Sequence, residues 1–310
     1  MNLNIDIVGA CNLHCPSCPM GRGDIAPSGQ QMSKGLLVQI LTKAKREFRI
    51  HRIQLYDVTE PTLHRDLPEM IRAARQFGPV EISSNGSVRN VDWEAIVTAG
   101  PAQITISLSG DIPDTHARGH VGSNLRDVHV AMAAIDAACR YRGVRVRRQI
   151  LYHRYPYNLT EEATAKKRAR RLGFSFAGLW ASTLRPYGQE NIAGCVLSPS
   201  DAAWIGPRYP GKNCLVLERN ININVNGEVT QCAGFGHVLA AFLGVPFYEI
   251  QLLRRTDPFC RECSSSGMLR YVCRDPHLDS WNARQVGDCW QYRWDRWRHW
   301  LFYVREKLMR

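Results

Sequence analysis

No stretch of this chain is long and apolar enough to cross a bilayer. Apolar residues make up 45% of its 310 residues, yet no run approaches the roughly 18 that a span requires. A signal-peptide pattern is missing too, because neither a basic flank nor a separate apolar segment stands before the first strand-like run near Met1. No fixed-period repeat, low-complexity tract or RNA- or DNA-binding module pattern is present, so nucleic acid is not an expected partner. These absences point to a cytoplasmic protein, in a compartment where thiols stay reduced. Eleven cysteines in such a setting are better explained by metal ligation than by disulfides. Net charge is +12, from 40 Lys and Arg against 28 acids. Such an excess is either a solvated basic surface or the mark of a site that accepts anions, among them carboxylates, thiolate-ligated metal, an acidic substrate or a reductase.

From Met1 to about residue 212, short β-rich runs alternate with helical stretches, which predicts an α/β fold with a parallel sheet. Strands are expected at Leu3–Val8, His51–Tyr56, Val80–Asn85, Gln103–Ser109, Arg145–His153 and Phe174–Ala181. Helices are expected at Lys34–Phe48, Leu67–Phe77, Trp93–Ala99, Asn124–Arg142 and Glu161–Leu172, with Asp66 as the N-cap of the second. Cys139 falls on the apolar face of one helix and reads as a small core residue. Between Leu184 and Lys212 prolines and glycines accumulate, marking a boundary between residues 1–212 and a smaller module at 213–310. Arg185 and Tyr187 open that stretch, either facing a substrate or serving as plain linker.

Immediately after the first strand stand Cys11, Cys15 and Cys18, spaced C-x3-C-x2-C. A loop leaving a strand end can bring three thiolates to three corners of an iron–sulfur cube, leaving one iron without a protein ligand. A zinc knot or a set of buried thiols is the alternative, although zinc sites usually pair cysteines as C-x2-4-C with a second distant pair. The spacing resembles the signature of the radical S-adenosylmethionine (SAM) enzymes. That resemblance implies a partial (β/α)6 barrel and a [4Fe–4S] cluster on Cys11, Cys15 and Cys18. It also implies SAM on the open iron, cleaved to methionine and a 5′-deoxyadenosyl radical. Asp57-Val58-Thr59-Glu60-Pro61 sits where the family carries Gly-Gly-Glu-Pro to receive the SAM amino group, with only Glu60 and Pro61 matching and Thr59 able to accept a hydrogen bond. Ser84 and Asn85, in Ser83-Ser84-Asn85-Gly86, resemble the third-strand end that meets the ribose. Ser107 and Arg118 resemble the pair that holds the SAM carboxylate, for which an Arg fork is suited.

A second constellation follows. Cys214 precedes an alternating run, Ile221–Val225, then an Asn226-Gly227 turn and a second run ending at Cys232, a hairpin pattern. Cys260 and Cys263 add a C-x2-C pair. Four cysteines in two pairs also suit Zn(Cys)4, but beside the first motif they resemble the SPASM and twitch modules of radical SAM enzymes. The resemblance implies an auxiliary [4Fe–4S] cluster on Cys214, Cys232, Cys260 and Cys263. Cys195, Cys273 and Cys289 remain as spare thiols, further ligands or hydrogen donors. Trp290, Trp294, Trp297, Leu301, Val304 and Leu308 recur at helical spacing and read as a stripe covering the module's own core.

The resemblance implies an oxidoreductase that takes a hydrogen atom from a substrate carbon, with the auxiliary cluster accepting the second electron as an alcohol becomes a ketone. Because the first strand begins almost at Met1, no N-terminal peptide-recognition domain is expected, which favours a small substrate such as an aminocyclitol or sugar alcohol. An aminosugar epimerase with a thiol hydrogen donor, a ribosomal-peptide maturase and a zinc-stabilised binding protein are the alternatives. A flavodoxin or ferredoxin is the expected electron donor.

Overall fold

A computed structural model describes residues 1–155, 157–181, 217, 219–232 and 237–260. Among these, six parallel strands alternate with helices as the sequence predicts: β1 (Asn2–Ile5), β2 (Arg52–Gln54), β3 (Val80–Ser84), β4 (Gln103–Leu108), β5 (Arg147–Arg154) and β6 (Ser175–Trp180). Between them run α1 (Lys34–Glu47), α2 (Leu67–Ala74), α3 (Trp93–Ala99), α4 (Pro113–Gly119), α5 (Leu125–Arg142) and, before β6, α6 (Glu162–Arg171). The parallel sheet is open rather than closed, a partial barrel. Helix starts follow ordinary capping chemistry. The side chains of Ser33, Asp92 and Asn124 accept backbone N–H groups of Leu36 at 3.1 Å, Ala95 at 2.8 Å and Arg126 at 2.9 Å, each cap contributing about 1 kcal/mol. Asp66 occupies its expected position ahead of α2 but makes no side-chain cap.

The sheet continues past β1. β7 (Asn220–Ile223) pairs parallel with β1 in the register Leu3↔Ile221 and Ile5↔Ile223, and β8 (Glu228–Thr230) and β9 (Val238–Ala241) follow antiparallel. The predicted hairpin therefore extends the barrel's own sheet, giving the order β6-β5-β4-β3-β2-β1-β7-β8-β9. Helix α7 (Phe247–Thr256) closes this end, its Phe247 ring 4.5 Å from that of Phe48 after α1. The boundary expected near residue 212 lies outside the described residues, as do Arg185, Tyr187, Cys195, Cys214, Cys263, Cys273, Cys289 and the Trp-rich stretch from Trp290.

Side chains alternate across each strand, and here the alternation separates two environments. Leu3, Ile5, Ile53, Ile82, Ile104, Ile106, Ile150 and Tyr152 face the helices in one apolar core, which includes Cys139. The alternate positions line the inner face and are largely polar: Asn4, Asp6, Gln54, Glu81, Gln103, Thr105, Gln149 and Asn222 are all buried. Asn4 donates to Asn222 at 2.9 Å and Gln103 to Gln149 at 2.8 Å, while Glu81 pairs with Arg52 and Arg147 at the strands' amino ends. Leu151 and Ala177 form a small apolar island on this face. Larger α/β barrels usually fill this space with branched apolar side chains; this one keeps it polar.

Candidate metal and cofactor site at the carboxyl mouth

The cysteine loop leaves β1 at the carboxyl end of the parallel strands, where ligands gather in α/β barrels. Its anchors are backbone and side-chain hydrogen bonds to neighbouring strand ends. His14 N–H donates to the Val121 carbonyl at 2.9 Å, and Glu60 N–H to that of Ala10 at 3.0 Å. Gly21 is required at its position, since a Cβ there would lie 2.4 Å from both the nitrogen and the oxygen of Cys15.

Cys11, Cys15 and Cys18 are partly buried and form no disulfide. Burial pushes the Cys11 thiol up to about 12, with the charges of Glu60 and Cys18 adding to the rise. Burial likewise raises Cys15, with Cys18 and Cys11 reinforcing it, and burial raises Cys18. The three sulfurs are thus near enough to repel one another as thiolates. Each also receives backbone N–H donors: Leu13 to Cys11, Val121 to Cys15, and Met20 with Gly21 to Cys18. Amides aimed at sulfur favour thiolate, the form that binds metal, and such hydrogen bonds tune iron–sulfur clusters. Among the described residues no three Cys, His, Asp or Glu side chains converge on a single-ion site. A multi-iron cluster, whose thiolates sit on different irons, holds its ligands farther apart than one zinc ion does. The donor set therefore fits a cluster.

Two buried acids frame the loop. Asp6, which sequence reasoning passed over, continues β1 on its inner face and accepts the N–H groups of Asp57 at 2.8 Å and of Val58 and Thr59 at 3.2 Å, as well as the Thr59 hydroxyl. Glu60 accepts the Asn85 N–H at 2.7 Å with one oxygen and the N–H and hydroxyl of Thr62 with the other. Burial raises both carboxyls above their ordinary values against the pull of these donors. Asp57 is raised further, by burial and by Asp6 beside it.

The residues expected to meet SAM thus divide. Thr59 and Glu60 spend their polar atoms on the frame, and the Ser84 hydroxyl accepts the Gly86 N–H at 2.9 Å within its own turn, where Gly86 takes a positive φ of 70°. Asn85 does reach the loop, donating to Asn12 Oδ1 at 2.8 Å and lying 3.9 Å from Cys11 Sγ. Ser107 sits near the top of β4 on the inner face. Arg118, near the end of α4, lays its guanidinium 3.9 Å from the Tyr157 ring centroid; Tyr157 stacks on Tyr155, whose hydroxyl bonds Ser17 Oγ at 3.1 Å between Cys15 and Cys18. The two tyrosines were not anticipated. Of the second constellation, Cys232 and Cys260 are described. Gln231, next to Cys232, donates to Cys260 Sγ at 2.7 Å, so the hairpin end and the C-x2-C stretch meet.

An open parallel barrel with three unbridged thiols in a loop at its carboxyl mouth is an α/β fold with a candidate metal site. No protein-family model matches the chain. It is 32% identical over 120 residues to a probable GTP 3′,8-cyclase of Saccharolobus solfataricus, covering 37% of this chain and 36% of that protein. It is also 28% identical over 122 residues to a 7,8-dihydro-6-hydroxymethylpterin dimethyltransferase of Methanocaldococcus jannaschii, covering 37% and 24%. The chain thus spans about a third of the length of the first curated relatives it matches. Among solved structures, anSMEcpe with bound AdoMet superposes with a TM-score of 0.66 at 13% identity, over 99% of this chain and 94% of that one. SuiB of Streptococcus suis bound to its precursor peptide SuiA gives 0.61 at 13% over 88% and 70%, and BtrN in complex with AdoMet and 2-DOIA gives 0.52 at 14% over 90% and 94%. The chain shares the open α/β partial-barrel fold of these solved structures and, over about a third of its length, is similar in sequence to these curated relatives.

Proposed function

We propose that this chain is a radical SAM oxidoreductase in which Cys11, Cys15 and Cys18 hold a [4Fe–4S] cluster with one iron open to SAM. The observation that carries this reading is the trio of buried, mutually repelling thiols, each met by backbone N–H groups. When bound, cluster and SAM supply a carbon-centred radical able to take a hydrogen atom from a substrate carbon. Around them, Asp6 and Glu60 hold three strand ends in register, Asn85 positions the loop beside Cys11, and Ser107 and Arg118 receive the SAM carboxylate. Thr59 presents its strand end to the amino group, and Ser84 keeps the β3 turn closed beneath the ribose. Cys214, Cys232, Cys260 and Cys263 hold an auxiliary cluster that accepts an electron.

The polar inner face favours a small hydroxylated substrate such as an aminocyclitol or sugar alcohol. Asn4 Oδ1, Gln103 Oε1 and Asn222 Nδ2 are buried there without a partner among the described residues, and buried polar atoms of this kind are ordinarily satisfied. A peptide substrate is the second reading. It is favoured by exposed apolar residues on the connections above the mouth, Ile112, Val121 and Leu159, and by the likeness to SuiB, whose structure contains a precursor peptide. A flavodoxin or ferredoxin would supply the reducing electron.

Anaerobic reconstitution tests the proposal. Two clusters require roughly eight irons and eight sulfides per chain, with 5′-deoxyadenosine released from SAM on reduction. Zinc in place of iron, or SAM left whole by the reduced protein, would overturn it.

A further inference from the structure

The connection after β4 and the end of β5 carry three histidines. His116, at the heart of α4, is fully buried; Nδ1 accepts the Ser109 N–H at 3.3 Å, which leaves Nε2 to donate to Ser123 Oγ at 2.9 Å. Its tautomer is fixed and its role is structural. His120 stacks on it with centroids 4.9 Å apart, and His153 meets His120 edge-on at 5.6 Å. His153 continues the inner-face series Gln149, Leu151, His153 of β5, while the next residue, Arg154, turns outward to Glu162 of α6. Among the described residues neither ring nitrogen of His153 has a hydrogen-bond partner, and His120 Nδ1 is buried without one. His153 is half-buried. Burial lowers it to about 4, and burial also lowers His120 well below its ordinary value, with the charges of His116 and His153 adding, so both are neutral bases at physiological pH.

Resting on the oxidoreductase reading above, we propose that His153 is a catalytic residue that accepts the proton of the substrate hydroxyl, with His120 as the positioning residue that holds its ring edge-on. The carbon-bound hydrogen leaves as an atom to the radical that SAM supplies, the hydroxyl proton passes to His153, and the remaining electron goes to an iron–sulfur acceptor as C=O forms. A flat ring at the top of the inner face, with unspent nitrogens, suits this task; the acids on the other side are committed to backbone amides.

Two measurements test it. The first is carbethoxylation of the full chain with diethyl pyrocarbonate, mapped by mass spectrometry, which needs neither cluster nor substrate. His153 is expected to react while His116 is spared; an unreactive His153 overturns the proposal. The second incubates reconstituted wild type, His153→Gln and His153→Ala with a panel of deuterated aminocyclitols and hexosamines. The expected result is that both variants still move label into 5′-deoxyadenosine but form ketone at least about 100-fold more slowly, the usual scale for a lost acid–base group, with imidazole restoring His153→Ala. Unchanged ketone formation, or equal loss of label transfer and ketone, contradicts the assignment. Should wild type itself move no label from any member, the small-substrate oxidoreductase reading fails and takes this role with it, an outcome separate from a defect confined to the variants.

Discussion

The two sides of the barrel mouth are built from the same kinds of strand end but spend their polar groups differently. On the β1–β3 side, Asp6 and Glu60 give their oxygens to six N–H or hydroxyl donors of the 57–62 connection and to the Asn85 N–H. On the β4–β5 side, His153 and one nitrogen of His120 give nothing to the described protein. The first side is a frame that fixes where three thiols sit. The second is open to chemistry. Holding a cluster and handling a substrate thus need not compete for the same residues.

The largest effect expected from breaking this division concerns the thiols. Cys15→Ala should abolish SAM cleavage and leave only the iron of the auxiliary site, whereas Cys260→Ala should keep cleavage and lose the auxiliary iron. Iron analysis and 5′-deoxyadenosine assay check both, and equal behaviour of the two variants would erase the distinction between the sites.

Next in size is the frame. Glu60→Ala leaves the buried Asn85 N–H without its acceptor, which costs about 1–3 kcal/mol, and urea unfolding of the apo protein should show it. His153→Gln, with no hydrogen bond to lose, should unfold close to wild type in the same titration. A comparable loss in both variants would mean that His153 is framework too.

The two sides should also respond to acid in opposite senses. The buried carboxyls Asp6, Asp57 and Glu60 hold protons more tightly folded than unfolded. They therefore favour the folded state as pH falls from neutral towards the unfolded carboxylate value of about 4. His153 and His120 do the reverse. Folding keeps them neutral, so the stability they contribute is complete above the unfolded value of about 6.5 and is lost as pH falls towards about 4, where His153 charges in the folded state. Thermal midpoints of apo Asp57→Asn and His153→Gln across this window check the signs. Asp57→Asn should gain most over wild type near neutrality, and His153→Gln should be the less acid-sensitive protein. The smallest effect belongs to Arg118→Ala, which removes one exposed cation–π contact with Tyr157 worth about 0.5–1 kcal/mol. Its larger consequence should be weaker SAM binding, read as a raised KM.

Much of this was legible beforehand because the signals are local. Apolar runs of strand length, caps such as Ser33 and Asn124, and three cysteines within eight positions all reveal themselves in short windows. Helix α4 is absent from the expected helices because seven residues are too few to display a 3.6-residue period, although Pro113 at its start and Asp114 in its first turn are usable signs. The pairing of β7 with β1 joins residues 218 positions apart, beyond the reach of any pattern. Asp6 could have been found as the one charged residue in the alternating run Leu3–Val8. Nothing local ties His116 and His120 to His153, because only the parallel register of β4 and β5 brings them together.

The most direct test of the central claim is electron paramagnetic resonance of the reduced Cys232→Ala/Cys260→Ala protein, in which only the Cys11, Cys15 and Cys18 cluster remains, recorded with and without SAM. A [4Fe–4S] signal whose g-values move on adding SAM is predicted, as one iron gains a new ligand. A signal indifferent to SAM, or no cluster signal at all, would contradict the account.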